Sequence, residues 1–391
     1  MTLKILIAPS GFKESLDAEQ VANCIATGIL NVLPDVQAYQ APLVDGGEGF
    51  TKALVKATGG RLHPIQVMGP VGQTVESHFG FLGGDDRKTA VLEMAAAAGL
   101  RLVPPDMRDP LVTTTYGVGE LIKAALDAGA ERILVGCGDS GTNDGGAGMA
   151  QALGVKLLDA AGQPLGLGGG ELARLKRIDF SQRDPRLAEV QIDVACNWHN
   201  VLCGPRGVAR VFGPQKGASP ETVEQMAAAL DRYAGIIAAD LGLDIREMPG
   251  SGASGGLGTG LYALIGAKLH PRYEIVMQYL DIDNLLSEVD LVITAEGCID
   301  NQTPRGKIPV EVAQRAKRYN LPVIALAGTV GQGAEMNLHH GIDYFASILA
   351  SPCQLNEAIA QASTLLTNAA EQVARLLLVG RQVRRCTFTG W

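Results

Sequence analysis

The chain has 391 residues, 47% of them hydrophobic and 19% charged, which is enough apolar material for two cores and too little charge for a disordered chain. Its formal net charge of -8 repels polyphosphate backbones and anionic lipid. Nucleic acid and membrane are therefore excluded as expected partners, and a small-molecule ligand is expected.

Residues 3–8 are a short β-branched run closed by Pro9, Ser10 and Gly11, which reads as a buried strand. From 17 to 33, Val21, Cys24, Ile25, Ile29 and Val32 recur at helical spacing until Pro34 stops them. A strand at 36–43 runs into Asp45-Gly46-Gly47-Glu48-Gly49, and a helix follows at 50–57. This strand–helix–strand–helix order predicts parallel pairing. Three β-like runs come next, at 62–67, 75–82 and 89–92, punctuated by Gly69-Pro70 and Gly83-Gly84.

A helix at 117–128, a strand at 132–136, helices at 147–153 and 220–241 and a strand at 190–195 fill the middle. Regular alternation then returns: helix 273–287, strand 291–295, helix 309–319, strands 322–327 and 344–348, and a long helix 356–379. The two chain ends look alike and the middle differs. The expected fold is α/β with two different α/β domains. One is a doubly wound (Rossmann/flavodoxin-like) parallel-sheet domain from residues 1–69 and 267–391; the other is an inserted mixed α/β domain, 70–266.

The seven cysteines form no CxxC pair and keep no metal-ligand spacing to histidine, so they read as reduced thiols of a cytoplasmic protein. No segment approaches the roughly 18 apolar residues of a membrane-spanning helix, and the apolar run at the start is too short for a signal peptide.

In open parallel sheets, ligands bind beyond the carboxyl ends of strands. Four polar clusters stand there. Ser10-Gly11-Phe12-Lys13 precedes a helix, where an ammonium and first-turn N–H groups suit an anion. Asp45 and Glu48 lie in a glycine loop and can hold Mg²⁺ or supply a base for a hydroxyl.

The third cluster is Gly138-Asp139-Ser140-Gly141-Thr142-Asn143-Asp144-Gly145-Gly146-Ala147-Gly148, running from a strand into a helix. Backbone N–H groups there suit a phosphate, with Asp144 or Asp139 for its magnesium ion. The fourth carries Glu296, Asp300, Arg305 and Lys307: acids for metal or base, and cations for developing charge. Lys216 stands in a further turn, Gly213-Pro214-Gln215-Lys216-Gly217. The chain has no GxxxxGK[ST], no HRD and no DFG, and its glycine-dense 250–260 stretch lacks a GxGxxG frame. The six histidines match no metal or triad motif.

Taken together, APSGFKESL (8–16), VDGGEG (44–49), LEMAAAAGLRLVPP (92–105), TNDGGAG (142–148), VFGPQKGA (211–218), residues 290–300 and Gly306-Lys307 resemble the type I glycerate kinase family through nearly the whole chain. The resemblance implies two different α/β domains with the active site in their cleft. It also implies ATP and Mg²⁺ as cofactors, and attack by the 2-hydroxyl of D-glycerate.

On that reading Thr142, Asn143, Gly145, Gly146, Gly148 and Lys216 bind ATP, and Asp144 and Asp139 the metal. Ser10, Lys13, Glu48, Glu296 and Arg305 bind substrate. Lys13 and Lys307 join the catalytic set, where Asp45 or Asp300 accepts the hydroxyl proton. The chain departs from the family pattern at Ser10-Gly11 (usually Asp-Ser), at Asp139-Ser140-Gly141 (Gly-Ser-Ala), at Asn197 (Asp) and at Cys298 (Arg). Loss of an acid at Ser10 and gain of Asp139 are read as compensating changes. Three other readings are a kinase for another small hydroxy acid such as a tetronate, a non-catalytic sensor, and a nicotinamide dehydrogenase, which the missing fingerprint disfavours. A homodimer is left open.

Overall fold

The computed structural model describes residues 2–12, 15–44, 46–84, 87–304 and 306–383. The chain opens with β1 (Lys4–Ile7) and β2 (Gln37–Gln40). It then lays down β3 (Arg61–Met68), β4 (Thr74–Phe81), β5 (Thr89–Glu93), β6 (Arg132–Gly136), β7 (Lys156–Leu158), β8 (Arg177–Asp179), β9 (Gln191–Cys196) and β10 (Lys268–Pro271). It returns with β11 (Leu291–Ile299), β12 (Val323–Val330) and β13 (Tyr344–Ser347). Two compact units result, Met1–Val44 with Val276–Trp391, and Asp45–Ile275.

The first unit is a five-stranded sheet in the order β13-β12-β11-β1-β2, parallel throughout. Counted along this unit's own strands the order is 2-1-3-4-5, the flavodoxin-like arrangement. Right-handed crossovers leaving β1 in one direction and β11 in the other place their helices on opposite faces. Both faces are therefore covered, which is why Ile5–Ile7 and 291–295 are buried on both sides, the one polar member, Thr294, donating its hydroxyl to the Ala8 carbonyl.

Helix Ala18–Val32 starts on a capping box in which Gln20 N–H donates to Asp17 Oδ1 (2.8 Å) and Asp17 N–H to Gln20 Oε1 (3.0 Å). It buries Val21, Ile25 and Ile29 against the sheet and crosses helix Ala362–Val383 at Gly28. A Cβ on Gly28 would come within 2.3 Å of the Thr367 carbonyl oxygen, so close crossing requires a glycine there.

The second unit is a mixed six-stranded sheet, β10-β9-β6-β5-β4-β3. β5, β6, β9 and β10 run parallel, while β3, β4 and β5 pair antiparallel. β7 and β8 form a separate two-stranded ribbon. Helices Tyr116–Asp127 and Pro220–Leu241 bury Leu121, Ile122, Leu230 and Tyr233 in its core.

Three expectations need correction. The segment 46–69 belongs to the second unit, because the Gly69-Pro70 turn folds β3 back antiparallel on β4 from Arg61↔Phe81 to Met68↔Thr74. At the other end β10 also joins this sheet, through parallel pairing with β9. The helix expected at 273–287 is two, Arg272–Tyr279 and Ile282–Glu288, broken where Asp281 takes φ 50°. The helix expected at 356–379 is likewise Leu355–Ala360 followed by Ala362–Val383. Among the described residues no helix is long and apolar enough to cross a membrane.

Candidate functional site

In the first unit the strand order reverses direction between β1 and β11, the switch point at which open α/β sheets take ligands. Ser10 follows β1 there, nearly buried. Its N–H and its hydroxyl both donate to the Ala295 carbonyl of β11, at 2.8 and 3.0 Å. The far half of β11 carries Glu296, Asp300 follows its last residue, and Lys307 caps helix Ile308–Lys317 just beyond.

Lys307 Nζ lies 3.3 Å from Asp300 Oδ1, 4.0 Å from Glu296 Oε2 and 3.4 Å from the Cys298 carbonyl oxygen. Asp300 also accepts from Gln302 N–H at 2.9 Å and from the Thr303 hydroxyl at 3.4 Å. Burial pushes the Asp300 carboxyl up, but the Gln302 N–H and the Lys307 ammonium outweigh it and hold the group below the usual carboxylate range. Cys298 points its thiol at Asp300 Oδ2, 3.8 Å away, in the position where the family pattern has an arginine. Three sequence candidates thus meet here, Glu296, Asp300 and Lys307, and Ser10 is bonded to the carbonyl of Ala295, the residue before Glu296. Lys13 and Arg305 lie outside the described residues.

In the second unit the loop after Val44 rests on the end of β6. A Cβ on Gly138 would stand 2.7 Å from the Gly47 Cα, so two bare backbones touch. Glu48 N–H donates to Asp139 Oδ2 at 2.9 Å. Asp139 takes φ 50°, a conformation glycine adopts freely and other residues at a cost, and the family pattern has glycine at this position. The bond to Glu48 offsets that strain.

Glu48 also pairs with Arg101, Oε1 to Nη1 at 3.1 Å. Glu93, buried at the end of β5, accepts Gly49 N–H at 2.9 Å and Thr51 N–H at 2.7 Å, capping helix Phe50–Ala57. Burial raises its carboxyl, and those N–H groups pull against the rise. Glu48, Leu100, Arg101, Asp139, Ser140 and Gln215 line a pocket of about 240 Å³. Asp45 lies outside the described residues.

The glycine loop 142–148 wraps around a buried acid. Asp144 is fully buried, and its carboxylate accepts Thr115 N–H (2.8 Å), the Thr115 hydroxyl (2.8 Å), Gly146 N–H (3.1 Å) and Gly148 N–H (3.2 Å). Two of the N–H groups expected to cradle a phosphate, those of Gly146 and Gly148, are thus directed at the protein's own carboxylate, while Thr142 Oγ1 and Asn143 Nδ2 are buried without a hydrogen-bond partner among the described residues. Thr142 and Asn143 are buried beside it.

Lys216 is only 2% exposed and is bonded within the protein. Its Nζ donates to Ser140 Oγ (2.8 Å), the Thr142 carbonyl (2.6 Å) and Asn143 Oδ1 (3.1 Å). Burial lowers its pKa from 10.5 to about 7, opposed by the Asp144 charge. Gly145 and Gly146 pack on Tyr233 and on Gly260. A pattern of glycines and hydroxyls before a helix looks the same whether its donors face a ligand or an internal acid.

Arg101, Ser140 and Gln215, which line the pocket, and Glu93, which caps the helix beside it, were not among the candidate site residues. The first and last lie inside the stretch 92–105, whose resemblance to the family was the one available signal. A larger cavity of about 780 Å³ beside helix Pro220–Leu241 sets four carboxylates (Glu224, Asp231, Asp244, Glu247) against Arg210 and Arg246, a poor setting for a phosphate chain. Among the described residues no three His, Cys, Asp or Glu side chains gather as a metal cluster.

The profile of the glycerate kinase family matches residues 5–378. The chain belongs to the glycerate kinase family. Within that family it is 48% identical to a glycerate kinase of Haemophilus influenzae, over 96% of this chain and 99% of that protein. It is 46% identical to the glycerate 2-kinase of Escherichia coli, over 97% and 99%. A solved structure of a candidate glycerate kinase 2 from Salmonella typhimurium LT2 superposes with a TM-score of 0.85 at 48% identity, covering 98% of this chain and all of that one.

Proposed function

We propose that this protein transfers the terminal phosphoryl group of ATP to the 2-hydroxyl of D-glycerate, giving 2-phospho-D-glycerate and ADP. One observation carries the reading: kinship to glycerate kinases at 46–48% identity runs through at least 96% of the chain, and one of those relatives is named for the 2-position.

The groups at the switch point of the first unit suit the chemistry. A phosphoryl group in transfer spreads negative charge over its equatorial oxygens, so catalysis is mostly positioning and charge stabilisation. Lys307, held by Asp300 and Glu296, is a fixed ammonium for that charge. Asp300, kept ionised, orients a hydroxyl as acceptor rather than storing its proton. Lys13 and Asp45 remain proposed partners on the family's pattern, and Arg305 a proposed substrate ligand.

Magnesium would accompany the ATP phosphates and neutralise part of their charge. Of the two aspartates read as its ligands, Asp139, at the rim of a pocket, offers the hard oxygen chemistry such an ion takes. The six described cysteines are all unpaired, which supports a cytoplasmic setting.

The test is ADP release from purified protein with Mg-ATP, with and without D-glycerate. Glycerate-dependent release is expected. ATP turnover that ignores D-glycerate but responds to another hydroxy acid would replace the substrate and keep the kinase.

A further inference from the structure

The pocket of the second unit rests on a lysine that faces no carboxylate within hydrogen-bonding distance. Among the described residues Lys216 Nζ has three acceptors: the Ser140 hydroxyl, the Thr142 carbonyl and the Asn143 amide oxygen. As an ammonium it spends one N–H on each. Ser140 Oγ is then an acceptor towards Lys216, and its own O–H turns to the pocket it lines. As a neutral amine, Lys216 keeps two N–H groups for the carbonyl and amide oxygens. Its lone pair then draws the Ser140 proton inward, and the pocket loses a donor.

Charge points the same way. The described residues lining the pocket offer one guanidinium, Arg101, against two carboxylates, Glu48 and Asp139. In the magnesium-free protein an anion is repelled by that balance unless Lys216 beneath the floor is charged. Asp144 favours the charged form of Lys216, and burial beside the same aspartate keeps the Tyr233 phenol neutral. Arg108 abuts the next residue, Gly217. At about 240 Å³ the pocket falls below the roughly 300 Å³ of sites for larger ligands, so it fits a three-carbon acid and not a nucleotide.

We propose that Lys216 is a positioning residue that sets the Ser140 hydroxyl to donate into this pocket, where Ser140 and Arg101 hold the carboxylate of the acceptor acid and Glu48 accepts from one of its hydroxyls. The proposal rests on the glycerate reading above and deepens it. Its consequence is proton-linked binding: the acid binds the charged-lysine form, so binding above the lysine's pKa takes up a proton.

The experiment is calorimetric titration of the full-length protein with D-glycerate, in buffers of differing ionisation enthalpy. Uptake of roughly half a proton or more per glycerate is expected at about pH 7.5, vanishing by about pH 6, where Lys216 is already charged. Ser140→Ala is expected to weaken glycerate binding about 5- to 20-fold and abolish the proton uptake, with Mg-ADP affinity unchanged. Arg101→Gln is expected to weaken it about 10-fold or more.

Arg101 is exposed, while Ser140 is nearly buried and bonded to Lys216, so a urea titration of Ser140→Ala checks that loss of this acceptor leaves the fold intact. Glycerate binding without proton uptake at any pH would overturn the proposal and leave the kinase reading intact. A Ser140→Ala loss confined to Mg-ADP would overturn it too, assigning the pocket to the nucleotide. Normal proton-linked binding without turnover would sink the kinase reading alone.

Discussion

Asp144 has five N–H or O–H groups within hydrogen-bonding distance and no exposure, so its charge is spent inside the fold. Asp144→Asn swaps one acceptor oxygen for an NH₂ among donors, a loss of about 2–4 kcal/mol. A lower urea midpoint at unchanged slope, with the magnesium dependence of the rate unaltered, is the expected outcome. A weakened magnesium response at full stability would return Asp144 to the metal. Lys216 gives a pH test with a definite sign. Its folded pKa of about 7 lies below the 10.5 of the unfolded chain, so the unfolded state binds more protons between them. Folding stability should therefore climb with pH across that window and be lowest, for this group's part, below it. In Lys216→Met the climb should shrink, as urea titrations at several pH values would show. These two residues were the least legible in the sequence. Glycines, hydroxyls and an acid before a helix describe a phosphate loop and an internally capped turn equally well, and only burial separates them.

Elements were easier to read than the residues on them. Helix Phe50–Ala57 stands where its apolar spacing put it, yet its cap comes from Glu93, a residue of β5 distant in sequence and invisible to local pattern. Glu93→Gln faces two helix-start N–H groups with a group half acceptor and half donor, and about 2–3 kcal/mol should be lost in a denaturant titration. At the crossing of helices Ala18–Val32 and Ala362–Val383 two effects compete in Gly28→Ala. Alanine gains about 1 kcal/mol of helix propensity. The new Cβ, 2.3 Å from a carbonyl oxygen, forces the helices apart at a cost of about 3 kcal/mol. Net destabilisation is expected, and a rise in melting temperature would show that the crossing is looser than described. Lys307 caps its helix by backbone alone, with no side-chain capping bond. Lys307→Ala should therefore lower kcat by about 100-fold or more with little change in melting temperature. Lys307→Arg should recover part of the rate.

At the scale of the molecule, the alternation at both chain ends made a parallel domain with an insertion legible, and strand order 2-1-3-4-5 agrees with it. The boundary was not legible. β3 has the same composition in either sheet, and its place was decided by the Gly69-Pro70 turn, which returns it antiparallel onto β4. The family resemblance carried the functional reading further than the residue chemistry did, because the motifs it rests on include side chains such as Glu93 and Lys216 that act inside the protein. The most direct measurement of the central claim is product identity. Purified protein, Mg-ATP and D-glycerate are incubated with enolase and no phosphoglycerate mutase. Phosphoenolpyruvate formed in step with ADP is the predicted result, since only the 2-phosphate can be dehydrated to it. ADP released without phosphoenolpyruvate, recovered only on adding mutase, would place the phosphoryl group on the 3-hydroxyl and contradict the account.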